Sequence, residues 1–409
     1  MNEGVTRARI DSAWDFIFNR LVSPITHQIY DYRTTEGDDG ALVHLPTPEE
    51  IAACIPNPCG WFSGMEDSNI YGGIMMDAVL DRYKCTGNGS LKRYSDELYM
   101  GLMLNTRVSP QRGFLARAVH PENGKSHYIN SSRDQYTHWI YSMSAFRDSE
   151  LSDKAQKEAI NAALVAFAQK AEHDVTEENE FSLLREDGKP ALVCQMMGPK
   201  TACHETNRLP MFYLAAFVAS DDNHWRALYE SIREEALAKA ETIELVDMHF
   251  FKHPFALHQM QLSLRFLYDN DGDESYRARY KALMHRVAEG TEKYLYPALQ
   301  ILKSTPLPTT GVPWRECPDE FVRVKKPSHG YEVRLPDWRE ATEGSLYWPL
   351  KDATDGIITQ CLCPNFNIKP QQLAAFTEAL AAVDTSKGFC HAAGSFCGAY
   401  WALKSKSIL

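Results

Sequence analysis

Four short runs of the sequence crowd together residue types that move protons or grip oxygen atoms. The first, at 61–73, opens with Trp61 and sets Glu66, Asp67 and Asn69 among Gly64, Gly72 and Gly73. Adjacent carboxyls at a helix start can serve acid–base catalysis, or they can cap the helix, whose positive end favours negative charge. The second, at 112–141, brings Arg117, His120 and His127 on a loop and then Asp134, Tyr136 and His138. On a helix beginning near Ser131, Asp134 and His138 stand four residues apart on one face. That spacing suits a general acid or base with an imidazole beside it; a surface Asp–His pair would look the same. Burial among aromatic residues is expected to raise the Asp134 pKa. The third run, at 195–210, carries His204, Glu205, Asn207 and Arg208. Arg208 presents a planar fork that matches a substrate carboxylate, or an internal Asp or Glu.

The fourth run, at 247–259, places His253 and His258 among phenylalanines. Its spacing is not that of a metal-binding helix motif, so no metal and no cofactor are expected, and stacking and hydrogen bonding to a sugar fit better. A fifth region, at 313–348, is dense in Trp and Arg, with Trp314 and Trp338 at its centre. It can roof a cleft with a distal subsite, or form a homo-oligomer contact, where both residue types are enriched.

These groups need a frame. Helical periodicity predicts helices at 11–21, 68–83, 91–106, 131–146, 153–171, 207–219, 223–240, 255–268, 274–294, 370–383 and 395–403. Strand signals are weak, confined to 321–324 and 331–335, which suggest a β-hairpin within an irregular insertion at 305–348. Without a strand–helix rhythm, a doubly wound sheet and a TIM barrel are excluded. Paired antiparallel helices are the natural solution, and the lack of a fixed repeat favours a closed all-α (α/α)6 toroid over a solenoid. No linker divides the chain, so residues 1–409 are expected to form a single domain.

The run Ser131, Ser132, Arg133, Asp134, Gln135, Tyr136, Thr137, His138, Trp139 ends a long loop and opens an inner helix of such a frame. In that setting it resembles bacterial carbohydrate-active enzymes with the (α/α)6 toroid, the six-hairpin glycosidase-like group. The resemblance is architectural over most of the chain, sharper at 61–73 and 112–141, and matches no single family's hallmark motifs. It implies a site at the wide mouth of the toroid, built from the starts of inner helices and the loops before them.

Glycoside hydrolysis commonly uses one carboxylic acid to protonate the leaving oxygen and a second carboxylate to activate water or attack the sugar. Asp134 is the expected acid with His138 beside it, Glu66 or Asp67 the partner, and Glu205 the reserve. Trp61, Arg117, His120, His127, Tyr136, His204, Asn207, Arg208, His253, His258, Trp314 and Trp338 are the expected contacts to an oligosaccharide, uronic acids included. Three alternatives stay open. One is a polysaccharide lyase, with Tyr136 or His138 taking a proton and His204, Asn207 and Arg208 around the carboxylate. The others are a sugar epimerase with paired histidines and a non-enzymatic helical scaffold, the last disfavoured because so many helix starts carry convergent polar groups.

A formal net charge of −11 argues against wrapping a nucleic acid, which wants a basic face. No stretch reaches the roughly 18 apolar residues of a membrane span, and residues 1–14 lack the apolar core of a signal peptide. As it stands the chain reads as cytoplasmic, or as periplasmic or secreted if a leader has been removed. The ten cysteines are scattered without paired CxxC spacing and read as free, mostly buried thiols, with a Cys54–Cys59 bridge as the alternative in an oxidising compartment.

Overall fold

A computed structural model describes residues 3–37, 42–243, 253–317, 342–385 and 390–409. With 61% of the protein in helix and 4% in strand, the class is all-α, as the periodicity predicts. The helices are α1 (Glu3–Phe16), the short α2 (Pro48–Ala52), α3 (Ser68–Thr86), α4 (Lys92–Leu104), α5 (Arg133–Asp148), α6 (Lys154–Asp174), α7 (Arg208–Ser220) and α8 (Asn223–Glu241). After these come α9 (Phe255–Asn270), α10 (Glu274–Gly290), α11 (Leu295–Ser304), α12 (Tyr347–Leu362), α13 (Pro370–Ala382) and α14 (Gly394–Ser405). Among the described residues the sheet is one antiparallel pair, β1 (Ser182–Leu184) with β2 (Pro190–Gln195), joined across a short turn.

Helices of two kinds alternate. One set is apolar on most sides: in α3, α5, α7, α9, α12 and α14 most residues are buried. Within this set α3 packs on α5, α5 on α7, α7 on α9, α9 on α12, α12 on α14, and α14 back on α3. The other helices bury one stripe each and lie outside, α4 against α3, α6 against α5 and α7, α8 against α7, α10 against α9, and α11 and α13 against each other and α12. One apolar cluster runs through both layers, from Trp14 and Met75 to Phe212, Leu264, Phe376 and Trp401. Gly73 lets α3 come close to α5, since a Cβ there would sit 3.2 Å from the His138 carbonyl oxygen.

The two sets also begin differently. Outer helices α6, α8 and α10 are each capped by the Asp that precedes them, Asp153, Asp222 and Asp273, whose carboxylates accept from the first-turn amides. None of the six inner helices receives a hydrogen bond from its own N-cap side chain.

Most expected helices are present within a few residues, while α11, α12 and the β1–β2 hairpin were not foreseen. Pro349 stands in the first turn of α12, where a proline costs no intrahelical bond, yet with the Trp- and Gly-rich stretch before it the segment reads as loop. The expected strands at 321–324 and 331–335 lie outside the described residues. All ten cysteines are free, Cys54 and Cys59 included. Among the described residues no helix is long and apolar enough to cross a membrane.

Candidate functional site

The starts of the six inner helices meet in a buried polar cluster. It begins at α3. Asp31, thirty-five residues or more upstream, accepts from the backbone amides of Glu66 at 2.8 Å and Asp67 at 3.0 Å, and so holds the turn that enters α3. The carboxylates of Glu66 and Asp67 face Arg117, whose guanidinium lies 3.3 Å from each. Arg117 also donates to the Glu66 carbonyl at 3.0 Å. Gln135, on the first turn of α5, donates to the Asp67 carboxylate at 3.1 Å and the same carbonyl at 3.0 Å, tying α5 to α3.

From α5 the chain of contacts passes to α7. Asp134 pairs with Arg208, which is 1% exposed and donates through its other nitrogen to Gln259 on α9 at 2.9 Å. Arg133 pairs with Glu205, and His204 Nε2 lies 3.3 Å from the same carboxylate. Asn207 is buried beside Arg208, and neither polar atom of its side-chain amide has a hydrogen-bond partner among the described residues.

On the far side, α9 meets α12. The His138 and His258 rings approach edge to face at 5.3 Å, and His258 Nδ1 lies 3.7 Å from Asp355, a fully buried carboxylate whose counter-ion is Lys351 at 3.2 Å. One turn away His253 stacks on Trp348 with centroids 3.9 Å apart and donates or accepts through Nδ1 at 2.9 Å with Asp352. Tyr71 closes the circuit between α3, α12 and α14. Its hydroxyl is 3.4 Å from that of Tyr347, and its ring is 3.6 Å from that of His391, which lies 3.6 Å from Asp31 and 3.8 Å from Glu343.

The charges set the protonation of the cluster. Burial alone would raise the Asp134 pKa, but Arg208 and Arg133 outweigh it and hold the carboxyl below its ordinary range. This reverses the expected direction: Asp134 stays ionised and is poorly suited to donate a proton. Asp355 is likewise depressed, burial being outweighed by Lys351. Asp352 behaves oppositely, pushed up to about 6 by burial despite its bond to His253. His204 is lowered to about 3 by burial and by Arg208 and Arg133, and His138 falls well below its usual value through burial, His258, Lys351 and Arg208. Both imidazoles are neutral in the folded protein near pH 7.

Of the expected residues, Glu66, Asp67, Arg117, Asp134, His138, His204, Glu205, Asn207, Arg208, His253 and His258 come together here. Tyr136 does not. Its ring packs between Phe167 and Phe212, and its hydroxyl is used between the Gly113 carbonyl and the Leu115 amide, both at 3.0 Å, so it has no proton to exchange with a substrate. His127 is spent on Glu186 at 2.9 Å, and His120 Nδ1 accepts from the Glu122 amide within its own turn. Trp61 and Trp314 join Cys59, Phe62 and Leu192 in a separate apolar cluster, with the Trp314 indole donating to the His44 carbonyl at 2.8 Å. Trp338 lies outside the described residues.

Sequence reading missed Asp31, Lys351, Asp352, Asp355, Gln259 and His391. Lys351 and Asp355 did carry a signal: oppositely charged residues four apart within an apolar helix, flanked by Leu350, Ala353, Ile357 and Ile358. No protein-family model matches the chain, and neither a curated protein nor a solved structure matches it.

Proposed function

We propose that the six inner helices close as the inner ring of an (α/α)6 toroid and that the chain hydrolyses a glycosidic bond at the end where those helices start. The cyclic order of their packing and the uncapped inner helix starts support the toroid. The observation that carries the reaction is the division between two carboxyls in this cluster: Asp134 kept ionised by guanidinium groups, Asp352 pushed up to about 6. Titratable groups driven apart by their surroundings assign themselves acid and base roles. Asp352 is then the acid that protonates the departing oxygen, and Asp134 the carboxylate that attacks the sugar or orients water. This moves the acid from Asp134, where the sequence suggested it, to a helix not foreseen. Glu66 and Asp67, with Arg117, hold the substrate end of α3.

β-Elimination is the second reading. It is favoured by one observation: the neutral His138, a proton acceptor whose ring makes no hydrogen bond among the described residues, feels the nearby guanidinium of Arg208. Tyr136, engaged in the core, does not support it.

The test compares the protein with its Asp352→Asn and Asp134→Asn variants on a panel of aryl glycosides and aryl uronides with good and poor leaving groups. Loss of the acid is expected to cost about 10²- to 10⁴-fold on the poor leaving group and much less on the good one. Asp134→Asn should slow both alike. Wild-type rates in Asp352→Asn would sink the assignment, and an unsaturated product absorbing in the ultraviolet would transfer the site to the lyase reading.

A further inference from the structure

Further along the inner helices lies a cavity of about 240 Å³, lined by α3, α5, α9, α12 and α14 from Ile74, His258 and Gly398 down to Lys84, Ala145, Leu362 and Ser405. Leu80, Ala145, Ile358 and Leu362 make part of the wall apolar, and Asp77 and Tyr141 enter it from α3 and α5. Asp77 has no hydrogen bond or ion pair with any described residue. Burial and the neighbouring Asp81 hold its carboxyl well above the usual range, with Lys84 opposing them.

The other charged groups around it are matched. Asp81 accepts from Lys84 at 3.2 Å and is also faced by Lys406 of the C-terminal segment. Arg265 on α9 is held by Asp269 at 2.6 Å and by the Leu362 carbonyl at 3.1 Å. His258 reaches the inner wall with its Nδ1 turned to Asp355. Tyr141 and Cys361 have pKa values raised by burial and carry no charge near neutral pH. One acid is thus left without an ion pair of its own, beside the last turns of α3, α5, α12 and α14, where the helix dipole favours a cation and disfavours an anion.

We propose that this cavity is a second binding site, separate from the reaction at the helix starts, for a small organic cation: a primary ammonium on a short apolar stem. The ammonium brings three donors and no acceptor, which suits Asp77 and the Tyr141 oxygen. The stem lies along the aliphatic wall. Binding releases the Asp77 proton to solvent and forms no covalent bond. At this volume the cavity takes a ligand smaller than those of ordinary drug-sized pockets, which run from about 300 Å³ upward.

Isothermal titration of the full chain with n-butylammonium, against n-butanol as the uncharged control of the same length, tests this. The amine should bind and the alcohol should not, and affinity should rise with pH while the amine stays protonated, because the bound state needs the Asp77 carboxylate. Asp77→Asn keeps the shape and removes the charge, and should weaken binding about tenfold or more. Ala145→Leu narrows the cavity without touching the acid and should also weaken it. No binding of the amine at millimolar concentration, equal binding of the alcohol, or unchanged affinity in either folded variant overturns the proposal.

Discussion

Asp134 and His204 stand in the same field of guanidinium charge: it keeps the carboxyl charged against its burial, and it adds to the burial that keeps the imidazole neutral. Glu205, 3.3 Å from His204, would favour the imidazolium, but burial and two arginines prevail. The effect on stability follows by linkage. In the unfolded chain His204 titrates near about 6.5, and in the folded protein at about 3. Between these values the unfolded chain binds a proton that the folded one does not, so stability is lost as pH falls from about 6.5 towards about 3. At pH 5 this amounts to about 2 kcal/mol at one pKa unit per 1.36 kcal/mol. Asp352 contributes with the opposite sign, because its raised carboxyl keeps a proton that the unfolded chain releases. The His204 part is therefore read as a difference: urea unfolding of the protein and of His204→Gln at pH 7 and pH 5 should show a smaller loss on acidification in the variant. Equal losses would mean that His204 is charged in the folded state. Sequence spacing located these residues but not their neighbours in space. Arg208 lies 74 residues from Asp134, and nothing local says that a guanidinium rather than an aromatic ring surrounds that carboxyl.

At the scale of elements, the start of α3 shows how a helix end becomes part of a site. A local cap would have consumed Asp67, the N-cap residue, yet its side chain makes no cap bond and the amides of Glu66 and Asp67 are served by Asp31. The task of holding the helix is thus separated from the task of presenting carboxylates to Arg117. Asp31→Ala should cost about 1–3 kcal/mol, the range for a buried hydrogen-bond donor left without its acceptor, and should raise KM or lower kcat as Glu66 and Asp67 swing to fill the vacancy. Asp31→Asn, which keeps an acceptor, should retain most of the stability. Thermal unfolding beside steady-state kinetics of both variants checks this, and an Ala variant as stable as the parent would show that α3 does not depend on Asp31. The helices themselves were legible because a 3.6-residue apolar period survives any arrangement of neighbours. A long-range hydrogen bond leaves no such trace, and α12 was hidden by Pro349 and Trp348 at its start.

At the scale of the whole molecule, α14 packs against α3, and α1 packs on α14 and α13. The last inner helix therefore covers a face of the first, more than 300 residues away in sequence, and touches α12 on its other side. The pattern of helices could be read from the sequence, but this packing order could not, because helices without a shared repeat carry no sign of which packs against which. Open and closed arrangements respond differently to loss of an end. In a solenoid each unit rests on its neighbours alone, so removing the terminal helix leaves the remainder folded. In a ring, the same deletion uncovers the apolar flanks of both α3 and α12, including Ile74 and Met75, both almost fully buried, and Ile358, which lie against Gly394 and Gly398. It also strips Arg7 of α1 of its contact with the Trp401 ring. A chain lacking 394–409 is therefore expected to lose its cooperative thermal transition, followed by circular dichroism, and to expose apolar surface to a fluorescent dye. A truncated chain that still melts cooperatively, with helix content lower only by the residues removed, would show that the helices stack in an open row, and the proposed toroid would fall.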